Sequence, residues 1–441
     1  ESFLKTEHWD KKPAGIWQME STTETVVTYK AEETREFLGG PARLVKMRTD
    51  AKTGKILNIH ITWINYQLIN GFGGPVTNTA DMTKREYRKW LKNMIKDAKK
   101  DEAKNEEEAK IFDKEIEAAT KELIATLTTK FGEPKKTAVG KSKNFKVNAL
   151  DFETKTGTTL RLYIDEGKAN ENYREGKLYL MASIYPTDTI QKNEDAVVPK
   201  NKRSTQQEIA AANVMKSPNG DVMIKNFPMQ DQGDTGGCSF AATAMLLEYY
   251  GSSLPWEVFS LRQRELNATA SAQALRYEAL ADAGIEVRDT GFSPKVVMNE
   301  IDNGRPVQAS VNTRNERYLL HAEWREKLKT DPSFKLPKES RKEREDGPNR
   351  WARDGEGGHK TTITGYNKEK EILFMTESSG EEHRNYPISF AEFENDCRAN
   401  RLTICTPTGK GKGIAKDPTA GKSRIAPRTS VVPKTPATAG R

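Results

Sequence analysis

The segment Gln232-Gly-Asp-Thr-Gly-Gly-Cys238-Ser-Phe-Ala constrains this chain more than any other, because a glycine-rich loop runs without a spacer into a helical pattern. Phe240, Ala244 and Leu247, with Ala241, Met245 and Tyr249 further round, recur at helical spacing and predict an amphipathic helix with a buried face. Gly251 is a natural stop for it. Cys238 then falls in the first helical turn, where orphan backbone N–H groups and the positive end of the helix dipole favour a thiolate. Gly236 and Gly237 carry no Cβ, so a second backbone can pass close beside the sulfur. Gln232 stands six residues before Cys238. Its side-chain amide and the Cys238 N–H would make a pair of donors for a developing oxyanion, which acyl transfer requires.

A thiolate needs a proton acceptor held on a different element. Gly357-Gly-His-Lys-Thr-Thr-Ile-Thr-Gly-Tyr366 supplies one, with His359 at the entry of a short strand and Gly365-Tyr366 at its exit. His321, in the charged stretch Arg314–Asp354, and His383, in a polar turn, lack that context and are expected on the surface. His8 is isolated, and His60 sits in a strand pattern as a structural side chain.

These residues carry a resemblance. Gln232-Gly-x-x-Gly-x-Cys238 followed by Ser-Phe-Ala, with Gly-His359-x-x-x-Ile-x-Gly-Tyr366 downstream, resembles the two motifs of papain-like cysteine peptidases. The resemblance implies Cys238 as nucleophile, His359 as base, and Gln232 with the Cys238 amide as oxyanion hole. In the family the strand after the histidine ends in Asn or Asp before a short turn closing on Gly. Alignment on Gly380 puts Glu377 there, with Thr376 as the fallback. Ser239 replaces the usual Trp or Tyr, and the cysteine before the nucleophile pair is absent. Those departures point to the bacterial branch resembling double-glycine-leader, bacteriocin-processing peptidases. The order of elements between the motifs also fits: helix Ser271–Gly284, helix Ser293–Asn303, then strand Gly304–Val311. The implied fold class is α+β, a papain-like domain of helical half and antiparallel β half over residues 216–408.

The remainder is organised around that domain. Residues 1–195 read as a separate α+β domain, with strands at Thr25–Tyr29, Leu44–Arg48, Ile56–Trp63, Phe145–Phe152, Thr159–Ile164 and Lys177–Tyr185. A long helical pattern runs from Thr83 to Lys130, opened by Tyr87, Trp90, Leu91, Met94 and Ile95 and continued by a solvated Lys/Glu/Ala stretch. Phe37-Leu-Gly-Gly-Pro41 and Phe131-Gly-Glu-Pro134 hint at an internal repeat. Residues 196–215 are expected to be a linker. Residues 409–441 lack the apolar area to offset chain entropy and read as a disordered tail. That tail holds eight basic residues and one acid, so it accounts for +7 of the chain's net +8, and no basic face is implied for the folded part.

Three cysteines are too few for a disulfide scaffold. Cys397 and Cys405 either pair or are small buried hydrophobes. No stretch reaches the ~18 apolar residues of a membrane helix. The chain begins at Glu1 without a basic, apolar leader, so either a signal segment has been removed or the end is trimmed. The expectation is a soluble, secreted or extracytoplasmic bacterial protein. The expected function is thiol endopeptidase, acting on a peptide or protein substrate and needing no metal or organic cofactor. The alternatives are another acyl transfer by the same residues, or an adaptor that keeps the fold without turnover. The basic tail suits contact with anionic polymers, and the N-terminal domain is expected to guard or present the cleft.

Overall fold

The computed structural model describes residues 17–24, 26–31, 35–37, 40–42, 44–65, 110–111, 113–140, 142, 145–167, 179–187, 210–232, 237–251, 254–266, 272–312, 315–331, 333–336 and 358–407. The basic tail, His8 and the opening of the long helical pattern, including Tyr87 and Trp90, lie outside these residues.

The N-terminal part builds one antiparallel sheet. Its strands are β1 (Trp17–Thr22), β2 (Val26–Ala31), β5 (Leu44–Asp50), β6 (Ile56–Asn65), β7 (Lys135–Val139), β8 (Val147–Glu153), β9 (Thr158–Tyr163) and β10 (Tyr179–Pro186). They lie in the order β1-β2-β5-β6-β10-β9-β8-β7, while β3 (Arg35–Phe37) and β4 (Gly40–Ala42) form a hairpin of their own. The sheet is thus two four-strand meanders joined where their last strands, β6 and β10, pair antiparallel. The repetition is in topology. The two Gly-Pro segments read as a repeat do not occupy equivalent places, since the first lies within the β3–β4 hairpin and the second leads from a helix into β7.

Period-two alternation gives this sheet two buried faces. Leu160, Leu162, Leu180, Ala182 and Ile184 face helix α1 (113–131), meeting Leu123 and Leu127. Val147, Ala149, Tyr163, Tyr179 and Met181 face the other way, into a core that continues through the rest of the molecule. Phe145 stacks on Phe259 at 5.1 Å between ring centroids, and Phe259 stacks in turn on Phe240 at 6.1 Å.

The C-terminal part is a second α+β layer. Helices α2 (Cys238–Tyr249), α3 (Glu257–Leu266), α4 (Ala272–Asp282) and α5 (Pro294–Asp302) precede α6 (Asn315–Thr330) and α7 (Phe390–Asp396). The sheet runs β11 (Val214–Lys216), β12 (Asp221–Ile224), β15 (Gly358–Asn367), β14 (Val307–Asn312), β18 (Cys397–Pro407), β13 (Ile285–Gly291). A branch adds β16 (Ile372–Thr376) and β17 (Tyr386–Ser389) beside β15.

Three expectations need correction. The linker does not extend to 215, because Val214–Lys216 is a strand paired with β12. It carries an exposed Met215 and Lys216 and so has no apolar alternation to betray it. Helix α2 is not amphipathic: Ala242, Thr243 and Leu246 are buried along with the expected face, so the helix is enclosed by protein nearly all round. Thr243 survives there because its hydroxyl donates to the Ser239 carbonyl, 2.8 Å away. His321 is buried rather than on the surface, as described below.

Candidate active site

Cys238 is the first residue of α2, directly after Gly237. His359 is the second residue of β15, paired in register with Val311 of β14. The fold therefore brings a helix start and a strand start, more than a hundred residues apart in sequence, to one place. The Cys238 and His359 side chains are near enough to shift each other's titration. Burial raises the thiol's pKa, yet His359, with the backbone N–H groups of Lys360 and Ser239, outweighs it and holds it below its ordinary value. His359 is also mostly buried, which alone would discharge it. The Glu377 carboxylate and the Cys238 sulfur reverse that and push it up to about 10. Each partner favours the other's charged form.

Glu377 follows β16 and is almost wholly buried. Its Oε2 lies 3.2 Å from His359 Nε2. The N–H does not point along that line, and Nε2 makes no well-aligned hydrogen bond, so the attraction is chiefly Coulombic. Tyr386 of β17 donates its hydroxyl to the other oxygen, Glu377 Oε1. The Glu377 backbone N–H donates to the His383 carbonyl at 3.2 Å. Thr376, the fallback, is turned elsewhere: its hydroxyl meets Thr364 at 3.0 Å and Asn385 at 3.2 Å.

Gln232 reaches the site through the residue after Glu377. Its backbone N–H donates to the Ser378 carbonyl at 2.8 Å, and its Oε1 accepts from Ser378 Oγ at 2.6 Å. Since the carbonyl end of the amide is bound to a hydroxyl, the orientation of the amide is set.

Sequence reasoning missed the layer behind the glutamate. His321 of α6 stacks on the Tyr386 ring at 5.0 Å and 14°, and its Nε2 lies 3.2 Å from Glu392 Oε1. The Arg/Glu/Lys surroundings of His321 hid this, because only one face of α6 meets β17 and the charged residues occupy the other. A signal existed in the spacing of His321 and Trp324, one helical turn apart and in ring contact. His383 is half-buried in a short 3-10 turn and contributes its backbone carbonyl rather than its ring to Glu377. His60 is buried, with Nδ1 3.2 Å from Ser183 Oγ, and burial drives its pKa down to about 3, so it stays neutral. Cys397 and Cys405 are both free and buried, and burial pushes the Cys405 thiol up to about 12. Cys238 is thus the one partly exposed thiol among them. Among the described residues no group of three or more His, Cys, Asp or Glu side chains is arranged to hold a metal ion, and no helix is long and apolar enough to cross a membrane.

Residues 224–401 match the model of the Peptidase C39 like family. The match spans α2 through the start of β18, with Gln232, Cys238, His359 and Glu377 inside it. It supports a papain-like cysteine peptidase-type family for this segment, in a chain whose overall class is α+β. No curated protein and no solved structure matches the chain.

Proposed function

We propose that this protein hydrolyses peptide bonds through a Cys238–His359 thiolate–imidazolium pair. The observation that carries the reading is the meeting of those two side chains, one from a helix start and one from a strand start, in a setting that favours charge on both. In this mechanism the Cys238 thiolate attacks a peptide carbonyl. The tetrahedral oxyanion is met by the Cys238 backbone N–H and by the Gln232 side-chain amide, whose orientation Ser378 sets. His359 gives its proton to the departing amine, then takes one from the water that attacks the thioester. Glu377 keeps the imidazolium charged and turned toward the sulfur, so the pair exists before substrate arrives.

The finer reading is an endopeptidase of the double-glycine-leader type, supported by the small Ser239 after the nucleophile and by the family match. A bacterial, extracytoplasmic setting and a basic tail that holds anionic polymers belong to the same proposal. Deleting residues 409–441 should then abolish retention on heparin, and unchanged retention would remove that part.

The deciding test is a peptide library offered to the wild type and to Cys238→Ala. Cleavage by the wild type alone, richest after paired glycines, is expected. Mild iodoacetamide near neutral pH should label Cys238 far faster than Cys397 or Cys405. Equal labelling of all three thiols with no cleavage would favour an adaptor, and amine incorporation without hydrolysis would favour acyl transfer.

A further inference from the structure

We propose that the N-terminal sheet is a positioning device for the oxyanion loop, acting through Glu20 and Ser21 of β1 and Lys46 of β5 on residues 229–231. This inference rests on the peptidase reading and deepens it. The loop that delivers Gln232 has little regular structure of its own: residues 227–232 follow β12 as extended chain. Trp256, Arg384 and Ser378 hold it from its own layer, and a second set of contacts comes from the other sheet. Ser21 Oγ accepts the Met229 N–H at 2.9 Å. Glu20 Oε1 accepts the Asp231 N–H at 3.4 Å and pairs with Lys46 Nζ at 2.8 Å. Lys46 Nζ donates to the Asp231 carbonyl at 3.5 Å, and Lys30 Nζ lies 3.7 Å from the Asp231 carboxylate.

The sheet is shaped for this. The β1–β2 register shifts between Met19 and Ser21, a bulge that buries consecutive side chains, Glu20 and Ser21, while Met19 is exposed. Both buried side chains meet loop N–H groups. Gln230, inside the grip, bridges to α2: its Nε2 donates to Glu248 Oε2 at 2.9 Å, and Arg48 of β5 holds Glu248 Oε1 at 2.9 Å. The same sheet therefore anchors the loop before Gln232 and, through Glu248, the helix that begins with Cys238. Glu20, Lys46, Arg48, Gln230 and Glu248 line a small cavity of about 40 Å³ at this junction.

The test uses the full chain and the best-cleaved library peptide. Ser21→Ala removes the acceptor of the Met229 N–H and of a 3.3 Å hydrogen bond from Arg384. Glu20→Leu/Lys46→Met removes the ion pair together, and with it the Lys46 charge that also faces the buried Glu257. Each variant should lose at least about tenfold in kcat with KM within twofold. The rate of Cys238 labelling by iodoacetamide, which forms no oxyanion, should not change, and amides 229–232 should exchange faster. In a Gln232→Ala background, itself down roughly 10²–10³-fold, the same changes should cost nothing further. Equal losses in both backgrounds, or unchanged kcat, would overturn the proposal. Should the wild type cleave nothing and label its thiols equally, the peptidase reading is what fails. Exchange at 229–232 then decides the clamp alone, and unchanged exchange sinks it.

Discussion

Glutamate is one methylene longer than the Asn or Asp that the strand end was expected to carry, and its extra reach needs a second anchor. Tyr386 provides that anchor, and His321, stacked on the Tyr386 ring and paired with Glu392, backs it. Removing the Tyr386 donor should leave Glu377 loosely held; a hydrogen bond to a charged group is worth about 1.5–3 kcal/mol. Tyr386→Phe should therefore lower kcat by about tenfold while the far-ultraviolet circular dichroism stays that of wild type. The charge of Glu377 also sets the pH range. The thiol ionises below its ordinary pKa, and His359 keeps its proton up to about 10, so the ion pair is populated between those two titrations. Activity should fall as pH drops through the cysteine's titration and again as pH rises through the histidine's. Glu377→Gln removes the attraction that raises His359, so the alkaline limb should move down by about one pH unit or more. A kcat/KM profile from pH 4 to 11 measures this, and an unmoved alkaline limb would mean that Glu377 does not act on the imidazole.

At the scale of elements, β15 explains why the histidine is fixed while the loop opposite needs support. It is paired with β14 from Gly358 to Ile363, His359 included, and with β16 and β12 further along. Gly365 is where these neighbours crowd most: a Cβ there would stand 2.8 Å from the Val222 carbonyl oxygen. Gly365→Ala should push β12 away and destabilise the fold by about 1–3 kcal/mol, read as a lower midpoint in urea. Helix α3 is the corresponding pivot between layers. Phe259 lies between Phe145 and Phe240, and Phe259→Ala should cost about 3–5 kcal/mol by the same measurement. Sequence made β5, β6, β8, β9 and β10 legible because apolar residues, β-branched and aromatic ones among them, recur in them between turn-forming stretches. It left β11 and β17 unread because one is only three residues long and the other is a four-residue strand opening Tyr-Pro. The positions of Cys238, Gln232, His359 and Glu377 could be picked out from glycine spacing. Ser378, Tyr386 and His321 could not, since their neighbours come from distant elements.

For the whole molecule, the division into two domains is a matter of chain order more than of packing. One apolar core runs from Val139 and Tyr179 to Phe240 and Trp256, so residues 210–441 expressed alone would expose the surface that Phe145, Tyr163 and Met181 cover. That fragment should bind a hydrophobic dye and aggregate, whereas a soluble fragment with sharp proton resonances would restore the idea of an independent second domain. Continuity of this kind is invisible in sequence, because an alternating strand does not say what lies against each face. The adjacency of Glu377 and Ser378 has its own consequence at this scale. In the proposed mechanism, proton handling and stabilisation of developing negative charge hang from neighbouring residues in a single short turn, so they would share one point of failure. A protease nick or a one-residue insertion between 376 and 381 should silence the protein in one step, with no half-competent species on the way.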